Sequence, residues 1–113
     1  MPRSPQKRPM PPGGFESISQ RFRVLSDPTR LHILYELVQG PRTVSELTEA
    51  VSASQPNVSR HLSTLLREGL VTRERHGSFV TYAVADPSVY KLCELVCGSI
   101  QKSIDAQQRA LTG

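Results

Sequence analysis

The sequence predicts a mainly α-helical domain with a small β-hairpin, in the order of four helices, two strands and a last helix. Apolar residues recur at helical spacing in four segments before residue 70. Between residues 71 and 84 the pattern changes to two extended runs rich in β-branched residues, and a helical stripe resumes after residue 87. A chain of 113 residues suits one hydrophobic core, so we expect these elements to form one domain.

Capping residues mark the ends of the predicted helices. Asp27-Pro28 ends the first helix and begins the second, since aspartate caps a helix and proline suits its first turn. The segment from Thr43 to Glu46 has the form of a capping box and starts a short third helix. Ser54 caps the fourth helix and Gly69 ends it. The third and fourth helices are therefore short and are joined by a tight turn.

The last part of the chain predicts a hairpin followed by a long helix. His76-Gly77-Ser78 separates the two extended runs and forms the predicted turn. Asp86-Pro87 repeats the cap-plus-proline start, and the helix after it carries a long apolar stripe that needs a partner. We therefore expect a homodimer built from the first and last helices, with the interface residues Phe15, Ile18, Phe22, Leu92, Val96 and Ile100.

Four short motifs follow one another along this pattern. They are Leu25-Ser26-Asp27-Pro28-Thr29-Arg30, Val44-Ser45-Glu46-Leu47, Ser54-Gln55-Pro56-Asn57-Val58-Ser59-Arg60-His61-Leu62 and Glu68-Gly69-Leu70-Val71. With these motifs the chain resembles the ArsR/SmtB family of metal- and stress-responsive repressors, over roughly residues 15 to 104. The resemblance implies a dimeric winged helix-turn-helix fold (α-α-α-α-β-β-α). It also implies a transcriptional repressor, not an enzyme, that binds a palindromic operator in double-stranded DNA.

The fourth helix presents a polar face opposite its apolar residues. Glutamine can pair with adenine through two hydrogen bonds, and arginine can pair with guanine in the same way, so Gln55 and Arg60 are the expected base-reading residues. Positive side chains at the hairpin tip suit a wing laid along a neighbouring groove, with Glu74 on the other face. His61 is expected to pack in the turn. The predicted DNA-binding residues are Gln55, Pro56, Asn57, Ser59, Arg60, Arg73, Arg75 and His76.

The metal sites known in the family are not repeated here. Where its third-helix site has thiols, this chain has Thr43 and Ser45, and Ser88, Ser99 and Lys102 replace ligands of its last-helix site, so no metal ligand set is assigned. Cys93 and Cys97 lie one turn apart on the last helix. Three interpretations stay open: buried apolar residues, a site for a thiophilic metalloid such as As(III), or thiols oxidised between subunits. We expect a small effector to release the repressor from its operator, with a thiophilic metalloid or an oxidant acting at Cys93 and Cys97 as the candidates. The alternative is a repressor that needs no effector.

Charge and composition divide the chain into a short arm and one domain. Lysine and arginine number 14 against 10 acidic residues, and the excess lies mainly in residues 1–14, which hold five of the nine prolines. We expect residues 1–14 to be a flexible basic arm, either inert or in contact with DNA, and residues 15–113 to form the DNA-binding and dimerisation domain.

The cysteine count and the length of the apolar runs indicate where the protein is located, and the sequence also bears on other classes of function. Two cysteines and the lack of a long apolar run predict a cytoplasmic protein that does not enter a membrane. No arrangement typical of a catalytic site stands out. The alternative function is a winged-helix module that binds a protein partner. The polar, basic face of the fourth helix favours DNA binding over this alternative.

Overall fold

The computed structural model describes residues 8–112, and the predicted order of elements is confirmed. The first half of the predicted arm, residues 1–7, lies outside the described part. The helices are α1 (Gly14–Leu25), α2 (Pro28–Val38), α3 (Val44–Val51), α4 (Gln55–Arg67) and α5 (Ser88–Thr112), and the strands are β1 (Val71–His76) and β2 (Phe79–Val84). Because α1 starts at Gly14, it begins one residue inside the predicted arm.

The predicted caps are present. The Asp27 carboxylate accepts a hydrogen bond from the backbone N–H of Arg30 at 3.0 Å, and Pro28 occupies the first turn of α2. The hydroxyl of Ser54 accepts from the backbone N–H of Asn57 at the start of α4. Gly69 follows α4 with a φ of 75°, in the left-handed region that favours glycine. Local side-chain chemistry therefore sets where α2 and α4 begin and where α4 ends.

The core lies between the end of α1, helices α2, α3 and α4, and the base of the hairpin. Its fully buried side chains include Ile33, Leu47, Leu62 and Leu65. Within the described residues α5 contributes only Val89 to this buried set. The protomer core is thus complete without most of α5.

The rest of the apolar stripe on α5 is exposed in the protomer. Val96 and Ile100 are 50% and 56% exposed, and on α1 Phe15 and Phe22 are 72% and 54% exposed. Arg21 of α1 contacts Asp86 ahead of α5 at 3.3 Å. Exposed apolar side chains of this kind are typical of a surface that contacts another protein.

The hairpin is tighter than the sequence indicated. His76 belongs to β1 and pairs with Phe79, so the turn consists of Gly77 and Ser78 alone. Because side chains alternate along a strand, Arg73 and Arg75 share the face of buried Val71, whereas His76 lies on the opposite face with Glu74. The expectation that His76 lies beside the two arginines is therefore wrong, whereas Glu74 lies on the face opposite them, as expected.

The capping box of α3 gives a stability prediction. The Thr43 hydroxyl accepts from the backbone N–H of Glu46 at 3.2 Å, and the Glu46 carboxylate accepts from the backbone N–H of Thr43 at 2.9 Å. We expect Thr43→Ala to lower the free energy of unfolding by about 1 kcal/mol in urea denaturation. Thr48→Ala, within the same helix, is the control and should change it much less. Equal losses in both variants would contradict a capping role.

The same box predicts a pH dependence. Hydrogen bonds from the backbone and the hydroxyl of Thr43 lower the pKa of Glu46 below its ordinary value. A carboxylate with a lowered pKa stabilises the folded state above its unfolded pKa, and this contribution disappears as the pH falls through the folded pKa. The difference in stability between the native protein and Glu46→Gln should therefore shrink on acidification.

Candidate nucleic-acid interface

The N-terminal half of α4 presents a row of exposed polar side chains. Gln55, Pro56, Ser59 and Arg60 are exposed, and Asn57 is half-buried. The opposite face of the helix is buried through Val58, Leu62 and Leu65. Packing therefore fixes which side of α4 faces outward, and it is the side on which the sequence placed the candidate base-reading residues.

Hydrogen-bond donors and positive charge dominate this exposed face. Residues 55–67 include two arginines and no acidic residue. The side-chain oxygen of Asn57 accepts a hydrogen bond from the Arg60 guanidinium one turn away. Because arginine has five donors, Arg60 keeps several for another acceptor. The positive end of the helix dipole lies at the same end of α4, which favours an anion such as a phosphate.

The wing places further positive charge beyond α4. Arg73 and Arg75 are exposed on one face of the hairpin. His76 stacks on Phe79 with ring centroids 5.2 Å apart, and its Nε2 lies 2.9 Å from the hydroxyl of Thr81. The two arginines thus extend from the face that packs on the core, while His76 is engaged on the other face.

Backbone and side-chain contacts hold the wing and α4 against the other elements. Arg42 and Tyr82 exchange two backbone hydrogen bonds, at 3.0 and 2.8 Å, which join the segment before α3 to β2. The Gln20 amide of α1 donates to the Glu68 carboxylate at the end of α4. The turn between α3 and α4 includes Ser52 in a left-handed conformation with φ 53°. These contacts tie β2 to the segment before α3 and the end of α4 to α1.

His61 packs beneath the exposed face, as expected, and it has two partners that sequence reasoning missed. Its Nδ1 lies 3.3 Å from the Arg30 guanidinium, and its Nε2 lies 3.9 Å from the Asp27 carboxylate. The hydrogen bond from the backbone N–H of Arg30 lowers the pKa of Asp27, and the nearby Arg30 guanidinium lowers it further. The sequence did contain a signal for the burial of His61, because it lies at helical spacing within the apolar stripe of Val58, Leu62 and Leu65. It contained none for the two partners.

The two cysteines line one apolar groove next to α1. The groove has a volume of about 490 Å³, and its lining includes Phe22, Leu31, Cys93, Val96 and Cys97. Cys93 is half-buried and Cys97 is exposed, and both are free thiols. Residues 8–112 of one protomer contain no group of three or more His, Cys, Asp or Glu side chains placed to hold a metal ion.

A family model and similar relatives point to the same family of regulatory proteins. A family described as "Bacterial regulatory protein, arsR family" matches residues 27–73, from the α2 cap into β1. The arsenical resistance operon repressor of Bacillus subtilis is 41% identical over 81 residues, which cover 69% of this chain and 77% of that protein. The chain belongs to the arsR family of bacterial regulatory proteins. Its resemblance to the ArsR/SmtB repressors is thereby confirmed.

Two further comparisons support the arsR-family assignment. The probable mercury resistance operon repressor of Streptomyces lividans is 42% identical over 80 residues, which cover 71% of this chain and 64% of that protein. The crystal structure of Rv0081 from M. tuberculosis superposes with a TM-score of 0.75 and 28% identity, covering 82% of this chain and 94% of that one. The family is one of transcriptional regulators, in agreement with the expectation that the chain is not an enzyme.

The family match and the cysteine pair occupy different parts of the arsR-family chain. The match ends at Arg73, so it includes the helix-turn-helix and excludes α5. No helix in the described range is long and apolar enough to cross a membrane. The family match therefore includes all of α4 but neither Arg75 and His76 of the hairpin nor the two cysteines, which must be judged on their own surroundings.

Proposed function

We propose that this chain represses transcription in the cytoplasm by binding, as a homodimer, to a palindromic operator in double-stranded DNA. The observation that carries the proposal is the exposed row Gln55, Ser59 and Arg60 on a helix that has no acidic residue and is buried on its other side. An α-helix fits the major groove, where base edges can be distinguished. α4 is therefore the recognition helix of the proposal.

Each exposed residue has a role that follows from its chemistry. Gln55 pairs with adenine and Arg60 with guanine, and Asn57 orients the Arg60 guanidinium through the hydrogen bond between them. Ser59 and the N-terminus of α4, with Pro56 in its first turn, contact the phosphate backbone. Arg73 and Arg75 contact phosphates along the wing, and His76 reaches the DNA from the other face of the hairpin tip.

A palindromic operator requires two recognition helices in a fixed relation. An apolar surface for a second copy is supplied by the residues left exposed on α1 and α5, namely Phe15, Ile18, Phe22, Val96 and Ile100, together with half-buried Leu92. Dimers of helix-turn-helix proteins contact half-sites about 34 Å apart, one turn of DNA. If the dimer pairs through α1 and α5, the packing of these two helices sets the distance between the two recognition helices.

Base reading and phosphate binding respond differently to substitution. We expect Gln55→Ala or Arg60→Ala to weaken binding to the operator by about 1 to 3 kcal/mol, with little change on random DNA, because hydrogen bonds to base edges are removed. Arg75→Ala is the matched comparison and should weaken binding to operator and random DNA alike. The slope of log affinity against log salt concentration should fall by about one for each phosphate that the arginine no longer neutralises. Fluorescence anisotropy on the DNA upstream of the chain's own gene, at several salt concentrations, measures all three.

Two outcomes would contradict this assignment. Equal losses on operator and random DNA for Gln55→Ala and Arg60→Ala would show that α4 does not read bases. Failure of the wild-type protein to bind any DNA, or an affinity that does not fall with salt, would favour the alternative of a protein-interaction module.

We further propose that a thiophilic metalloid such as As(III) releases the repressor by binding Cys93 and Cys97. Thiolates one turn apart on a helix can bind the same soft ion, and both line the groove between α1 and α5. The third ligand would come from across the dimer, since one protomer offers no cluster of three among residues 8–112. The names of two relatives, the mercury and arsenical resistance repressors, point to the same class of ligand.

A further inference from the structure

A buried polar junction connects the recognition helix to the start of α2. His61 is 7% exposed and is the only buried polar side chain among residues 8–112. It lies between Arg30, 3.3 Å from its Nδ1, and Asp27, 3.9 Å from its Nε2. Two motifs that are about thirty residues apart in sequence thus meet at one side chain.

The chemistry of arginine determines how this junction is arranged. A guanidinium has only donors, so Nδ1 of His61 must act as the acceptor. The proton of the neutral ring then lies on Nε2, which faces the negatively charged Asp27 carboxylate. The Nε of Arg30 donates to the backbone carbonyl of Val24 at 2.7 Å, near the end of α1. The junction therefore joins the end of α1, the cap of α2 and the middle of α4.

The location of His61 on α4 lets the junction control how this helix is oriented on the core. His61 follows Arg60 directly, and its other neighbours on the buried side of α4, Val58 and Leu62, make apolar contacts. Apolar packing is not directional, whereas a buried hydrogen bond constrains both distance and angle. Removing the polar contacts would let α4 rotate slightly on the core and change the direction of Gln55 and Arg60.

We propose that His61 is a positioning residue for DNA recognition, which sets the rotation of α4 through its contacts with Arg30 and Asp27. This inference rests on the proposed operator binding by α4. His61 itself contacts no base. Leu25, next to Val24, lines the groove that also holds the cysteines, so the junction lies one residue from this groove.

The experiment compares operator and random DNA for three variants of the full chain. His61→Phe keeps a ring but removes both polar contacts, and it should reduce the ratio of operator to random affinity about tenfold. His61→Asn keeps an acceptor close to the position of Nδ1 and should recover most of this ratio. His32→Phe is the matched control, because His32 lies on α2 with an exposed side chain and pairs with Glu36; its ratio should equal that of the wild type.

Folding and dimerisation are followed in the same samples by circular dichroism and light scattering. If His61→Phe does not fold, Arg30→Met removes the same hydrogen bond from the other side and should produce the same loss of ratio. A wild-type ratio in a folded His61→Phe or Arg30→Met variant would overturn the inference, and so would an Asn variant no better than the Phe variant. Failure of the wild-type protein to prefer any operator would instead overturn the proposed function.

Discussion

Replacing Val96 by aspartate is expected to yield folded monomers that bind the operator at least about 100-fold more weakly, because the two half-sites are no longer bound by one linked dimer. Val96 lies in the middle of the exposed apolar stripe and lines the groove with Phe22. A two-fold interface would bury two unpaired carboxylates, one from each copy, at a large cost in free energy. The protomer should stay folded, since Val89 is the only α5 residue in its buried core within the described range.

The chain offers a matched control on the same helix. Leu95 is 73% exposed, yet it borders a different surface, beside Ser99 and Lys102. Leu95→Asp should therefore remain dimeric with normal operator affinity. Sedimentation equilibrium and anisotropy measure the two properties, and circular dichroism checks the fold. A stable dimer with normal binding for Val96→Asp, or dissociation by Leu95→Asp instead, would place the interface elsewhere.

Trivalent arsenicals are expected to weaken operator binding by the wild-type protein about 5- to 150-fold, the usual range of coupling between two sites. Release requires that the ligand bind the free dimer better than the DNA-bound dimer. The thiols lie on the helix proposed to set the spacing of the two recognition helices, so bridging them would disturb docking on both half-sites. The double variant Cys93→Ser, Cys97→Ser should bind the operator normally and not respond to arsenite in an anisotropy titration.

The single variants and an oxidant separate the three interpretations of the cysteines. A metalloid site requires both thiols, so either single serine variant should lose the response. Release by hydrogen peroxide, reversed by dithiothreitol and accompanied by a disulfide-linked dimer on a non-reducing gel, would assign the pair to redox sensing instead. Equal responses of the wild-type protein and the double variant would show that the cysteines are only packing residues.

The helix ends were predictable because they depend on neighbouring residues. The cap at Asp27, the capping box at Thr43 and the left-handed Gly69 each involve residues within four positions of one another. The burial of one face of α4 followed from its helical periodicity, and with it the exposure of Gln55 and Arg60. Such features need no knowledge of the rest of the fold.

Features that depend on residues far apart could be known only once the chain was folded. The partners of His61 lie on another helix, and the pairing of Arg42 with Tyr82 joins segments forty residues apart. Because His76 pairs with Phe79 and so continues β1, its side chain lies on the face of Glu74 and not with the arginines. The groove that holds Cys93 and Cys97 exists because the end of α1, the start of α2 and the middle of α5 border one surface. Sequence periodicity shows which side chains avoid water, whereas tertiary packing selects the partners that they meet.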